Sequence, residues 1–91
     1  MSTRADTQLR HVRRSEQEVR ATMREAFAHA LKRSRASRSA VAKWLNRDVS
    51  TLRRWLNDEE AEINFYAVAR TSLWPHFLRC LVVLERKAGR V

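Results

Sequence analysis

The side chains able to make or break bonds in this chain are few and scattered. The three histidines, His11, His29 and His76, fall in separate segments, and no two have the spacing that converges ligands on a metal. Cys80 is the only cysteine, which excludes an intramolecular disulfide and a cysteine-based zinc site. It has no base beside it in sequence and sits in an apolar stretch, the setting of a small buried hydrophobe. The single glycine, Gly89, is near the end of the chain, so no glycine-rich loop is present to cradle a phosphate. His29 reads as a helix-surface residue. No catalytic residue, metal, cofactor or small-molecule ligand is expected.

The chemistry that the chain does carry is that of guanidinium. Nineteen Lys+Arg stand against ten Asp+Glu, a formal charge of +9, and sixteen of the nineteen are arginine. The planar fork of arginine matches phosphates and guanine edges with two parallel hydrogen bonds, which lysine cannot do. A small domain with this balance expects a polyanionic partner. The group that stands out is Arg53-Arg54, with Ser50 and Asn57 at helical spacing around the pair and Arg38, Lys43 and Arg47 upstream.

Those residues need a frame, and composition points to helices. Ninety-one residues make one domain. One glycine and one proline are too few for the turns of an all-β fold, and most polar positions are good helix formers. The expectation is an all-α, compact bundle of about five helices. Residues 1–14, with Arg4, Arg10, Arg13 and Arg14 and little apolar content, read as a flexible basic arm. Ser15-Glu16-Gln17-Glu18 is a capping box that starts the first helix. Val19, Met23, Ala26, Phe27, Ala30 and Leu31 then recur along one face of a 3.6-residue period. Ser37 caps a second helix over 38–45, buried through Val41, Ala42 and Leu45, with Trp44 beside that face. Asn46-Arg47 makes a turn, and Asp48 caps a third helix from Val49 to about Leu56. A fourth helix is expected near 61–70, with the acidic run Asp58-Glu59-Glu60 as its cap. Thr71 or Ser72 restarts the chain into a last helix over 74–87, whose first turn accommodates Pro75. The helical domain thus covers 15–87, followed by a tail, 88–91.

Segment 37–57 satisfies the steric demands of two helices joined by a tight turn. Ala42 is a small residue where the helices cross, Leu45 locks the first helix, and Asn46 tolerates the positive φ of the turn. Leu52 and Trp55 anchor the third helix inward. Val49, Ser50, Arg53, Arg54 and Asn57 are then left on its outer side or edges.

The stretch SRSAVAKWLNRDVSTLRRWLN, residues 37–57, resembles the helix-turn-helix of the Cro/CI-type phage repressors and their bacterial relatives. Residues 45–52 are also similar to the turn and recognition helix of some insertion-sequence transposases. The chain departs from the pattern at Asn46, usually glycine, and at Arg47, usually apolar. The resemblance implies a sequence-specific, double-stranded DNA-binding regulator of transcription, a repressor of phage or mobile-element type. It implies base contacts from Val49, Ser50, Arg53 and Arg54, and a phosphate or outer-base contact from Arg38; Asn57, at the end of the helix, is a further base-contact candidate by its own chemistry. Lys43, Arg47, Thr51, Arg35 and Arg33 are the further phosphate candidates. A homodimer is expected, because one recognition helix reads few bases.

The last helix is too broadly apolar for a single buried stripe. It is either a central core helix or partly a subunit interface, for which Phe77, Leu81 and Leu84 are the candidates. Two alternatives stay open: an accessory factor of recombination or transposition, and a protein-binding adaptor using this helix. The apolar run around Leu81–Leu84 is far short of the roughly 20 residues a bilayer span needs, and no signal peptide is evident. The expectation is a cytoplasmic protein of a bacterial or phage-infected cell, associated with the nucleoid when bound.

Overall fold

The computed structural model describes residues 14–89. They form an all-α bundle with no strands: α1 (Glu16–Ser34), α2 (Arg38–Leu45), α3 (Val49–Asn57), α4 (Phe65–Ala69) and α5 (Leu73–Lys87). The expected arm residues Arg4, Arg10 and Arg13 lie outside the described residues. Arg14 is tied down, with its guanidinium 3.0 Å from the Glu85 carboxylate.

Each boundary has a local cause. The Ser15 hydroxyl accepts from the Glu18 amide at 3.1 Å, and the Glu18 carboxylate accepts from the Ser15 amide at 2.9 Å, so both donors of the expected capping box are satisfied. At the other end of α1, Arg35 adopts the left-handed conformation (φ 59°) and its amide returns to the Lys32 carbonyl. Between α4 and α5 it is Thr71 that acts. Its hydroxyl donates to the Val68 carbonyl at 2.8 Å and accepts from the Leu73 amide at 3.1 Å, whereas Ser72 makes no side-chain cap bond.

The core draws on every helix. Ala26, Phe27, Ala30 and Leu31 of α1 meet Val41, Ala42 and Leu45 of α2, Leu52 and Trp55 of α3, Val68 of α4, and Leu73, Phe77 and Cys80 of α5. The packing of α1 on α5 is the most extensive of any helix pair. Phe77 has its ring 5.1 Å from that of Phe65 and is stacked on Trp74 at 5.4 Å. Burying side chains of this size contributes about 1.5–3 kcal/mol each. Among the described residues no polar or charged residue is buried.

Besides Arg14, two expectations need correction. The fourth helix is only Phe65–Ala69, and its cap is Asn64, whose side-chain oxygen accepts from the Ala67 amide at 3.2 Å. The acidic run does not cap it. Asp58 instead closes a local turn on the Glu60 amide at 2.9 Å, while Glu60 and Glu62 lie 3.7 and 2.8 Å from Arg20 of α1. These carboxylates, and the Glu59 carbonyl that accepts from the Arg24 guanidinium at 3.3 Å, hold the chain over 58–63 against α1, not in a helix. The second correction concerns Phe77. At 1% exposure it is core and cannot form a subunit surface; Leu81 and Leu84 are half-buried against the same core. The apolar residues that α5 leaves exposed are Leu78, Val82 and Val83.

Candidate nucleic-acid interface

The site is built on α2 and α3. Ser37 caps α2 by accepting from the Ala40 amide at 3.1 Å. The helix ends at Asn46, which takes the left-handed conformation (φ 57°, ψ 44°), and the Arg47 amide reaches back to the Ala42 carbonyl at 2.9 Å. This six-to-one bond is the Schellman stop, and asparagine is the residue after glycine that adopts it at least cost. Arg47 therefore occupies the position where an apolar residue usually seals the turn. It is half-buried, with its guanidinium donating to the Asn46 carbonyl at 3.0 Å. Val49, half-buried and packed on the core, supplies apolar cover next to the turn.

Asp48 starts α3. Its carboxylate accepts from the Thr51 amide at 2.9 Å. Hydrogen bonds from the Thr51 side chain, then the Thr51 amide and the Ser50 side chain, hold the Asp48 carboxyl below the usual carboxylate range. It stays charged at neutral pH and fixes the first turn of α3. The inner face of that helix is Leu52 and Trp55, 1% and 4% exposed. The Trp55 ring meets Phe27 of α1 edge-on, with centroids 6.0 Å apart and planes at 67°. The helix is thus fixed in rotation about its own axis, and the opposite face is presented outward.

On that outward face Ser50, Arg53, Arg54 and Asn57 are all exposed. Arg38, Val49, Leu52, Arg53 and Asn57 line an open cleft of about 240 Å³ between α2 and α3. Lys43, Asn46, Arg47, Asp48 and Thr51 line a shallower one along the turn. The expected base-reading residues therefore sit together on α3. Three of the expected phosphate residues flank them, Arg38 on one side and Lys43 and Arg47 on the other. Arg35 is exposed at the end of α1. Arg33 lines neither cleft and instead borders a groove between α1 and α5.

The charge on this face is uncompensated. Segment 38–57 contains five cationic residues and one acid, Asp48. None of Arg38, Lys43, Arg47, Arg53 and Arg54 takes part in an ion pair among the described residues; the pairs present are Arg14–Glu85, Arg20 with Glu16, Glu60 and Glu62, and His29–Glu25. Glu16, Glu60 and Glu62 are drawn to Arg20, away from the α2–α3 face.

Other chemistry finds no centre. Among the described residues no group of three or more His, Cys, Asp or Glu is placed to hold a metal, Cys80 is buried, and no helix is long and apolar enough to cross a membrane. Comparison with protein-family models, with curated proteins and with solved structures gave no match to this chain. Arg79 and Lys87 of α5 border the same groove as Arg33, and neither was among the residues singled out from the sequence.

Proposed function

We propose that this protein binds double-stranded DNA in a sequence-specific manner and regulates transcription, as a repressor of the phage or mobile-element type. The observation that carries the reading is the α2–α3 face: five cations without a carboxylate partner among the described residues, two of them, Arg53 and Arg54, on a helix locked in rotation by Leu52 and Trp55. An α3 of nine residues is about 13 Å long, and the major groove, about 12 Å wide, admits one helix. With α3 in the groove, Arg53 and Arg54 direct their forks at guanine O6 and N7, each good pair discriminating by about 1–3 kcal/mol. Ser50 and Asn57 offer a hydroxyl and an amide to neighbouring base edges. Arg38, Lys43 and Arg47 meet phosphates on the two flanks, which sets the register of α3 without reading sequence. Val49, packed on the core, has the smallest part.

The reading includes a homodimer, since one short helix contacts few bases and paired half-sites 34–36 Å apart are the usual geometry. With Phe77 in the core, the face available on α5 is Leu78 and Val82, one turn apart and 41% and 42% exposed. Light scattering on the free and duplex-bound protein tests this part: a monomer in both states removes it.

The binding claim is tested by fluorescence anisotropy with a duplex and an RNA of the same sequence over a range of salt. Counterion release gives a slope of log K against log salt of about −0.9 for each phosphate neutralised. Arg38→Ala, Lys43→Ala and Arg47→Ala are each expected to flatten it by about one. A salt-independent affinity, or a preference for the RNA, would overturn the proposal.

A further inference from the structure

A second cationic surface lies away from the motif. An open groove of about 360 Å³ runs between α1 and α5. His29, Lys32 and Arg33 form its α1 wall, and Arg79 and Lys87 stand on α5 four residues either side of Val83. The apolar strip between them is Cys80, Val83 and Leu84, of which Val83 is 44% exposed. Lys32, Arg33, Arg79 and Lys87 are exposed and take part in no ion pair among the described residues, and no carboxylate lines the groove. Glu25 reaches only the His29 edge, at 3.7 Å. His29, Lys32 and Arg33 follow Phe27 by two, five and six residues, which at 3.6 residues per turn puts them on the side of α1 roughly opposite the contact with Trp55. The groove is therefore separate from the face that α3 presents.

We propose that this groove docks an acidic amphipathic helix of a partner protein. Two cationic walls with an apolar strip between them complement a helix that carries leucine-like residues on one face and carboxylates on its flanks. The cations steer and orient the acidic flanks, and the strip removes the apolar stripe from water. The groove is open along one side, as a helix needs; a small molecule is normally enclosed over most of its surface. Residues 1–13 are the wrong occupant by charge, with Arg4, Arg10 and Arg13 against Asp6. A phosphate backbone matches the walls but has no use for the apolar strip. The proposal stands on the groove alone and does not depend on what α3 reads.

The test is anisotropy of a labelled helical peptide of glutamate and leucine, with leucine at every third and fourth position, titrated with the full chain. Saturable binding is expected, and polyglutamate of equal charge is expected to bind about tenfold more weakly or less. The double variant Arg79→Glu, Lys87→Glu and the single variant Val83→Asp are each expected to weaken the peptide by about tenfold or more. All three positions are exposed and lie outside the α2–α3 face, so the variants keep the helical circular dichroism of the parent. Absence of saturable binding, equal binding of polyglutamate, or indifference to both variants would overturn the proposal. Displacement of the peptide by random-sequence duplex that Arg79→Glu, Lys87→Glu abolishes would do so too, assigning the groove to the phosphate backbone.

Discussion

Replacing Trp55 by leucine probes the contact that orients α3, with Trp44→Leu as its internal control. Both tryptophans lie in the α2–α3 motif, but Trp55 is 4% exposed against Phe27 while Trp44 is 44% exposed. Trp55→Leu removes the edge-on aromatic contact, which contributes about 0.5–1.5 kcal/mol beyond area burial. It also leaves a void of ~60 Å³ where the larger ring stood, which at about 24 cal/mol per Å³ costs ~1.5 kcal/mol. The sum is about 2–3 kcal/mol. A domain of this size has about 5–10 kcal/mol of stability in all, so the variant folds but is visibly weakened. At about 4–8 °C per kcal/mol, its Tm falls by roughly 10–20 °C. Trp44→Leu, which changes mostly solvent-facing surface, is expected to stay within about 0.5 kcal/mol of the parent. Urea titration followed by far-ultraviolet circular dichroism measures both. A neutral Trp55→Leu, or equal losses in the two variants, would refute the packing of α3 on α1.

Three further outcomes follow from the local geometry. Asn46→Gly is expected to leave stability unchanged or slightly raised, whereas Asn46→Val places a β-branched residue at φ 57° and costs about 1–2 kcal/mol or more in urea titration. Asp48 has its folded pKa lowered, so its cap is fully present above the unfolded carboxylate range of about pH 4 and is lost as pH falls through the folded value. Thermal melts across that acid window are expected to show a smaller loss of Tm for Asp48→Asn than for the parent; an identical loss would exclude Asp48 as a contributor. Arg20→Ala releases the carboxylates of Glu60 and Glu62, so amide exchange over 59–63 is expected to accelerate while α3 amides keep their protection.

What the sequence made legible was local. Ser15 with Glu18, Ser37, Asn46 and Asp48 each act within four or five residues of themselves, and each does in the structure what its side chain suggested. The stripe Ala26, Phe27, Ala30 and Leu31 was equally plain, because a buried face repeats with the helix. The errors came from contacts between distant segments. The run Asp58-Glu59-Glu60 looked like the cap of the next helix, but the partner of Glu60, Arg20, is forty positions away. Arg14 read as part of a loose arm although Glu85, 71 positions on, holds it. Nearly the whole circumference of α5 is apolar, so periodicity gave no means of telling Phe77, which faces Phe65 and Trp74, from Leu78 and Val82, which face solvent. The α1–α5 groove exists only once two helices are side by side, and no single segment contains it. The motif face was readable because its inner and outer residues belong to one short stretch.

The most direct test of the central claim is selection of bound sequences from a random duplex pool with the parent, Arg53→Ala and Arg54→Ala, all at the same salt concentration. A defined consensus is expected for the parent. Each variant is expected to lose preference at a guanine position and about 1–3 kcal/mol of discrimination there, with the helical fold retained because both side chains are exposed. If the parent yielded no consensus, or if both variants kept the same consensus and affinity, α3 would not be the helix that reads DNA.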